Sequence, residues 1–143
     1  MPVPQRISLL TLGVADVARA TAFYESLGWR RSGASVESTT FFNTAGPILT
    51  LFGREDLADD AGVSPDGSGF RAVSVAINLE SREAVDAAFA EWVTAGATPI
   101  KPPVEVFWGG YTSYVADLDG HLWELAHNPY FEFDAAGVVR APA

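Results

Sequence analysis

The stretch 121–127 has the greatest capacity for chemistry, because it holds both histidines of the chain, His121 and His127, and the glutamate Glu124. Successive side chains of a β-strand point to opposite faces, so His127 falls on the face opposite Glu124 and the two do not share one metal ion. His121 follows an Asp-Gly turn at Asp119, where we expect an exposed or hydrogen-bonded structural role. The chain has no cysteine, which excludes thiolate ligands, thiol nucleophiles and disulfides.

A second group of candidate residues lies in the loop that ends at Tyr111. Trp108 and Tyr111 flank the pair Gly109-Gly110, which permits a close backbone approach. Large flat side chains at this place could stack on a planar ligand, or they could cover the edge of the core. In the strand that follows, Tyr111 and Tyr114 fall on opposite faces, so only one of them can line a cavity.

Composition narrows the classes of function. The 143 residues fit one domain, and 48% hydrophobic with 19% charged residues is typical of an ordered globular protein. A net charge of −9 disfavours binding to a phosphate backbone. The apolar runs are far shorter than the roughly 20 residues that span a bilayer, and the N-terminus lacks the features of a signal peptide. We expect a cytoplasmic protein that binds neither nucleic acid nor membrane. No phosphate-loop, dinucleotide-binding or nucleophile-elbow motif occurs.

The elements that must position these residues occur twice along the chain. The first series begins with a predicted strand at 7–14 and a helix that is capped by Asp16 and closed by Gly28. Short strands are then predicted at 29–32, 38–43 and 48–52. The second series repeats the order with a strand at 72–79 and a helix capped by Ser81 and closed by Gly96. Its short strands are predicted near 98–100, 111–116 and 121–126.

This repetition predicts one domain, 1–143, built from two tandem βαβββ modules with pseudo-two-fold symmetry. Module one spans about 6–53 and module two about 70–128. Between them, 54–69 has the Asp, Gly and Pro content of a linker, and an aromatic tail follows at 129–143.

Two motifs carry a resemblance to a known family. They are Val14-Ala-Asp-Val-Ala-Arg-Ala-Thr-Ala-Phe-Tyr24, followed by Leu27-Gly28, and Asp117-Leu-Asp-Gly-His-Leu-Trp-Glu-Leu125. The pattern resembles the vicinal oxygen chelate superfamily of glyoxalase I, extradiol dioxygenases, fosfomycin resistance enzymes and bleomycin-binding proteins. The resemblance covers about 7–128. It implies an α+β fold in which the modules form an open curved sheet around a small-molecule pocket, often in a homodimer. It implies no single function, because the scaffold hosts enzymes and non-catalytic drug binders.

Metal-dependent members of this family place four ligands, two from each module, on the inward face of the sheet, and these are typically His and Glu. The resemblance puts the four positions at Leu9, at Leu49 or Leu51, at Ser74 and at Glu124. Leucine cannot coordinate a metal, and a serine hydroxyl is a weak ligand for a first-row divalent ion. We therefore predict no cofactor, and a divalent metal is possible but disfavoured.

Without a metal, Glu124 is the informative residue, because a carboxylate that faces an apolar cavity is costly unless it is paired, hydrogen-bonded or protonated. It could bind a ligand's amine or hydroxyl, or act as a general base. Alternatively, it could be a structural relic that pairs with an arginine or accepts backbone hydrogen bonds. The favoured prediction is a metal-independent small-molecule binding protein that sequesters a drug or metabolite. The alternative is an isomerase, epimerase or lyase-like enzyme with Glu124 as general acid or base, so catalysis is left open. A metal-dependent glyoxalase or dioxygenase is less favoured. The predicted ligand contacts are Trp108, Tyr111, Ser74, Leu9, Leu49, Leu51 and Phe41.

Overall fold

The first strand and helix follow from the sequence around Asp16. The computed structural model describes residues 3–142, in which β1 spans Leu9–Val14 and α1 spans Val17–Ser26. The Asp16 carboxylate accepts a hydrogen bond from the amide of Arg19 at 3.1 Å, as an N-cap side chain does. Gly28 follows the last turn with a φ of 91°, a conformation that suits glycine. The predicted cap and glycine stop are both confirmed.

The chain divides into two compact units, one up to Gly67 and one from Ser68, and these contain the predicted modules one and two. In module one, β2 (Thr39–Phe42) and β3 (Ile48–Gly53) complete a sheet of order β1-β3-β2. The central strand β3 is parallel to β1 and antiparallel to β2.

The predicted strand at 29–32 is reduced to a single bridge between Arg31 and Phe42. Side-chain contacts, rather than a ladder of backbone hydrogen bonds, hold this segment against the rest of module one. The Trp29 ring packs against Tyr24 and Phe42, at centroid distances of 5.7 and 5.9 Å. The Arg31 guanidinium lies 2.7 Å from the Glu25 carboxylate of α1.

The predicted linker at 54–69 is wrong in its first half, because α2 (Arg54–Ala61) lies there. Glu55 and Asp56 occupy its first turn, where carboxylates favour the positive end of the helix dipole. Gly62 ends the helix with a φ of 74°. The helix contacts β1 and β3, so its acidic residues belong to a helix on the sheet and not to a loop.

Module two contains a complete βαβββ unit. Its elements are β4 (Ser74–Asn78), α3 (Arg82–Ala95), β5 (Thr98–Glu105), β6 (Tyr111–Ala116) and β7 (Leu122–His127). The sheet order is β4-β7-β6-β5, with β4 parallel to β7 and the remaining pairs antiparallel. The predicted cap of α3 is confirmed, since the Ser81 hydroxyl accepts the amide of Ala84 at 3.1 Å.

Strand β5 is longer than the predicted 98–100 and includes Pro99, Pro102 and Pro103. The prolines are accommodated because β5 is an edge strand, and its register with β6 shifts twice along its length. In the tail, β8 (Glu132–Phe133) and β9 (Val139–Arg140) form a short antiparallel pair.

In each module one face of the sheet packs against a helix, which is α1 in module one and α3 in module two. In module one, a buried hydrogen bond of 2.8 Å joins the hydroxyls of Thr21 on α1 and Thr40 on β2. In module two, the rings of Trp92 on α3 and Trp123 on β7 lie 5.1 Å apart. Within residues 3–142, no helix combines the length and the apolar character needed to cross a membrane.

Candidate functional site

The site is built on the face of the module two sheet that lies opposite α3. Because Trp123 packs on Trp92 of α3, its neighbour Glu124 points to the other face. In the register of the sheet, Glu124 lies between Ala76 of β4 and Tyr114 of β6. We call this surface the site face and define it by Ala76, Glu124, Tyr114 and Ser74, which precedes Ala76 by two residues on β4.

Glu124 and Tyr114 form the polar centre of the site face. The Tyr114 hydroxyl donates a hydrogen bond of 3.2 Å to Oε2 of Glu124. Burial raises the pKa of the Tyr114 phenol, and the negative charge and hydrogen bond of Glu124 raise it further. The phenol therefore keeps its proton at neutral pH and directs it at the carboxylate. The partner of Glu124 is thus a tyrosine, and no arginine pairs with this carboxylate among residues 3–142.

The second carboxylate oxygen of Glu124, Oε1, has no hydrogen-bonding or ion-pair partner among residues 3–142. Lys101 of β5 lies opposite Tyr114 in the register, but its ammonium is not within 4.0 Å of Glu124. Ser74 and Ala76 are small and exposed. The site face therefore offers the Oε1 atom of the half-buried Glu124 beside a phenol, with two small exposed residues of β4 on its other side.

Tyr111, a predicted ligand contact, lies on the helix-bearing face. Its hydroxyl donates to Asp86 of α3 at 2.7 Å, and the Arg82 guanidinium lies over its ring, 5.2 Å from the centroid. The hydrogen bond to Asp86 raises the pKa of Tyr111, and burial and the charge of Asp86 raise it further. Because side chains alternate along β6, Tyr114 is the tyrosine of this strand that lies on the site face. Tyr114 is not among the predicted ligand contacts.

Trp108 lies in the turn that joins β5 to β6 and is 41% exposed. The amide of Val106 donates to the carbonyl of Gly110 at 2.9 Å and closes the turn. The Trp108 ring covers Gly110 so closely that a Cβ at this position would overlap it. The tail reaches the same turn, since the Tyr130 hydroxyl lies 3.5 Å from where a Cβ on Gly109 would stand. A ligand contact by Trp108 stays a prediction.

In module one, Leu49 and Leu51 lie on the face of the sheet that packs against α1. Leu51 pairs with Thr40, whose hydroxyl is hydrogen-bonded to α1. Leu49 pairs with Phe42, whose ring contacts Tyr24 of α1. Both leucines are buried in the core. The predicted ligand position at Leu49 or Leu51 is therefore corrected, because these side chains are core residues of module one.

The residue of β3 on the opposite face is Thr50, which lies between Thr11 of β1 and Phe41 of β2 in the register. Alternation places Leu9 on this same face, where it is 49% exposed. Phe41 also lies on this face, and its contact with a ligand stays a prediction. Thr50 is only 4% exposed, and its Oγ1 atom has no hydrogen-bond partner. On this face of module one, β3 therefore contributes Thr50 in place of the predicted Leu49 or Leu51.

As a donor set, the predicted ligand positions with Thr50 do not suit a divalent cation, since they supply one carboxylate, two hydroxyls and an aliphatic chain. In the described range 3–142, no three His, Asp or Glu side chains come together as metal ligands would. His121 contacts the Arg71 guanidinium at 3.3 Å, in agreement with its predicted hydrogen-bonded role. His127 is 2.8 Å from the carbonyl oxygen of Leu79 and alternates away from Glu124.

Comparison with solved structures supports the fold. The chain is similar to a glyoxalase-related enzyme from Fulvimarina pelagi, at 30% identity and a TM-score of 0.89 over 98% of this chain and 100% of that one. It also resembles a glyoxalase/bleomycin resistance protein/dioxygenase from Nocardioides, at 25% identity and a TM-score of 0.74, covering 89% and 85% of the two chains. Lactoylglutathione lyase from Agrobacterium tumefaciens shares the fold at 20% identity and a TM-score of 0.68, covering 92% and 100%.

No curated protein matches the sequence. A family model, however, matches residues 6–125 and so includes both predicted modules and the motifs at Asp16 and Glu124. The resemblance and the α+β fold that it implied are confirmed. The chain belongs to the Glyoxalase/Bleomycin resistance protein/Dioxygenase superfamily.

Proposed function

We propose that this protein is a metal-independent small-molecule binding protein, and that Glu124 with Tyr114 anchors the polar group of its ligand. One observation carries the proposal. The Oε1 atom of a half-buried carboxylate is left without a protein partner, while Oε2 is held by Tyr114. A carboxylate in such a place loses part of its hydration, and a ligand donor compensates for that loss.

The surroundings of Glu124 support a binding role. Ser74 and Ala76 leave room beside the carboxylate, and the Tyr114 ring provides a flat surface for an apolar ligand body. The four positions that hold the metal in metal-dependent relatives carry an unsuitable set of side chains, so the ligand is bound without a bridging cation. Drug or metabolite sequestration is the role that we favour.

Calorimetric titration tests this proposal with three planar probes, 2-naphthylmethylamine, 2-naphthylmethanol and 2-naphthoate. We expect saturable one-to-one binding of at least one probe, with the same affinity in the presence of a chelator. The double variant E124Q/Y114F should lose most of that affinity while circular dichroism stays unchanged. Binding of none of the probes, or binding only after a divalent metal is added, overturns the proposal.

An enzymatic role is the second candidate, and the Glu124–Tyr114 pair favours it specifically. A carboxylate oxygen and a phenol that keeps its proton lie 3.2 Å apart, which places a base next to an acid. The similarity to a glyoxalase-related enzyme points the same way. Glu124 would take a proton from the carbon next to a substrate carbonyl, as isomerases, epimerases and some lyases require.

Proton NMR in heavy water tests the enzymatic role. Deuterium exchange at the α-carbon of phenylacetone should accelerate in the presence of the protein, and E124Q should abolish the acceleration without unfolding the chain. Exchange that E124Q leaves unchanged contradicts a role for Glu124 as the base. Homodimer formation and a cytoplasmic location stay predictions, and light scattering after size-exclusion chromatography tests the first.

A further inference from the structure

We propose that the site face selects a ligand with a protonated primary amine on an apolar body, and that the ammonium contacts Oε1 of Glu124 and the phenol oxygen of Tyr114. This inference rests on the proposed binding function and adds the chemical class of the ligand. Three features of module two carry it: the charge of Glu124, the balance of donors and acceptors, and the positions of the nearby cations.

The negative charge of Glu124 has no ion-pair partner within residues 3–142. The two arginines of module two have other partners. Arg82 lies 3.1 Å from Glu105 and over the Tyr111 ring, on the helix-bearing face. Arg71 donates to the carbonyl of Asp119 at 3.0 Å. The net charge of −9 adds a long-range attraction for a cationic ligand and a repulsion for an anionic one.

The hydrogen-bonding groups at the centre of the site face are acceptors. The one hydroxyl hydrogen of Tyr114 points at Oε2 of Glu124, so the lone pairs of the phenol oxygen are turned outward. Oε1 of Glu124 is a second acceptor. A primary ammonium carries three donors and can serve both atoms at once, whereas an alcohol carries one and a carboxylate none. The charged hydrogen bond to Glu124 is also the stronger type.

Lys101 is the one cation in the same row across the sheet, and it is the group that could oppose this selection. Lys101 pairs with Tyr114, which in turn pairs with Glu124. The Cα atoms of Lys101 and Glu124 are therefore two strand spacings, or about 10 Å, apart. Lys101 is exposed and forms no ion pair within 4.0 Å. Its repulsion of a bound ammonium is therefore screened by water and weaker than the contact with Glu124.

The ranking of the three naphthalene probes in calorimetry tests the inference, because the probes share one ring and differ in the polar group. At neutral pH we expect the amine to bind about tenfold more tightly than the alcohol, and the naphthoate to bind most weakly. E124Q should bring the amine to the affinity of the alcohol. Lys101→Met should raise amine affinity about twofold, and E105Q, which removes the same charge on the other face, should change nothing.

Equal affinities of the wild-type protein for amine and alcohol would overturn this inference and leave the binding function intact. Failure of all three probes to bind would instead remove the proposed function itself. A tenfold amine preference that persists in E124Q but disappears in E105Q would also contradict the inference, because it would place the cation on the helix-bearing face. Circular dichroism of each variant confirms that the fold is retained.

Discussion

The two modules place different chemistry at equivalent positions of their sheets. In module one the row across the sheet reads Thr11, Thr50 and Phe41, and in module two the corresponding row includes Glu124 and Tyr114. At the central position, module one has a threonine where module two has a glutamate. At the position beside it, module one has a phenylalanine where module two has a tyrosine. The repeat thus preserves the register, while the charge and the phenol hydroxyl occur in module two alone.

The central residues of these two rows also differ in their burial. Thr50 is 4% exposed and its hydroxyl has no partner, whereas Glu124 is half-buried and bonded to Tyr114. Module one therefore tolerates a small uncharged group at its central position, and module two supports a carboxylate there. The proposed function assigns the polar group of a ligand to module two, and the comparison can be tested by exchanging or removing these side chains.

The largest effect should come from placing the module two side chain in module one. Thr50→Glu puts a larger, charged side chain at a buried position, and we expect a loss of about 3–5 kcal/mol in the free energy of unfolding at neutral pH. The loss should shrink in acid, where the carboxyl is protonated. Urea denaturation at both pH values measures it. A variant as stable as the wild type would show that module one supports a carboxylate as module two does.

A comparison of two leucines tests the corrected assignment of the β3 face. Leu51 is 0% exposed, so Leu51→Ala should cost about 3 kcal/mol through lost burial and the cavity left behind. Leu9 is 49% exposed, and Leu9→Ala should cost well under half as much. Thermal unfolding of the two variants provides the measurement. Similar losses in both variants would contradict the division into a core face and its opposite.

Removal of the unpartnered hydroxyl of module one should have a smaller effect, of opposite sign. Thr50→Val keeps the shape and deletes Oγ1, so we expect a gain of about 1 kcal/mol in the free energy of unfolding. Thr11→Val is the matched control on the neighbouring strand, where the side chain is only partly buried. Loss of stability in Thr50→Val would mean that the hydroxyl has a partner in solution.

The smallest change we expect concerns the ionisation of Tyr114. Its pKa is raised by burial and by Glu124, so E124Q should lower it while leaving the contribution of burial. A group with a raised folded pKa contributes stability at pH values below its unfolded pKa, and loses that contribution as the pH rises through the folded pKa. Ultraviolet difference titration of wild type, E124Q and Y114F isolates this tyrosine. An unchanged titration in E124Q would argue against the hydrogen bond.

Local signals in the sequence predicted much of the fold. Asp16, Ser81, Gly28 and Gly96 mark the helix ends because capping depends on a few neighbouring residues. The helix α2 was missed because its acidic residues resemble those of a loop, and its contacts with β1 and β3 are not local.

The site could have been predicted more fully. The antiparallel strands β6 and β7 pair symmetrically about the Asp119 turn, so counting outward from Asp119 brings Tyr114 opposite Glu124. The error at Leu49 and Leu51 has another cause. Apolar residues occur on both faces of that strand, so its own pattern does not identify the core face, and only the pairing with Thr40 on the neighbouring strand does.

The prolines of β5 also affect how the protein behaves at high concentration. An exposed strand edge is a template for pairing with another chain, and such pairing leads to aggregation. Pro99, Pro102 and Pro103 have no amide hydrogen to donate, and the pairing of β5 with β6 shifts its register at the same places. This edge of the module two sheet therefore resists the addition of a further strand, so the chain can be concentrated with little risk of fibril growth from β5.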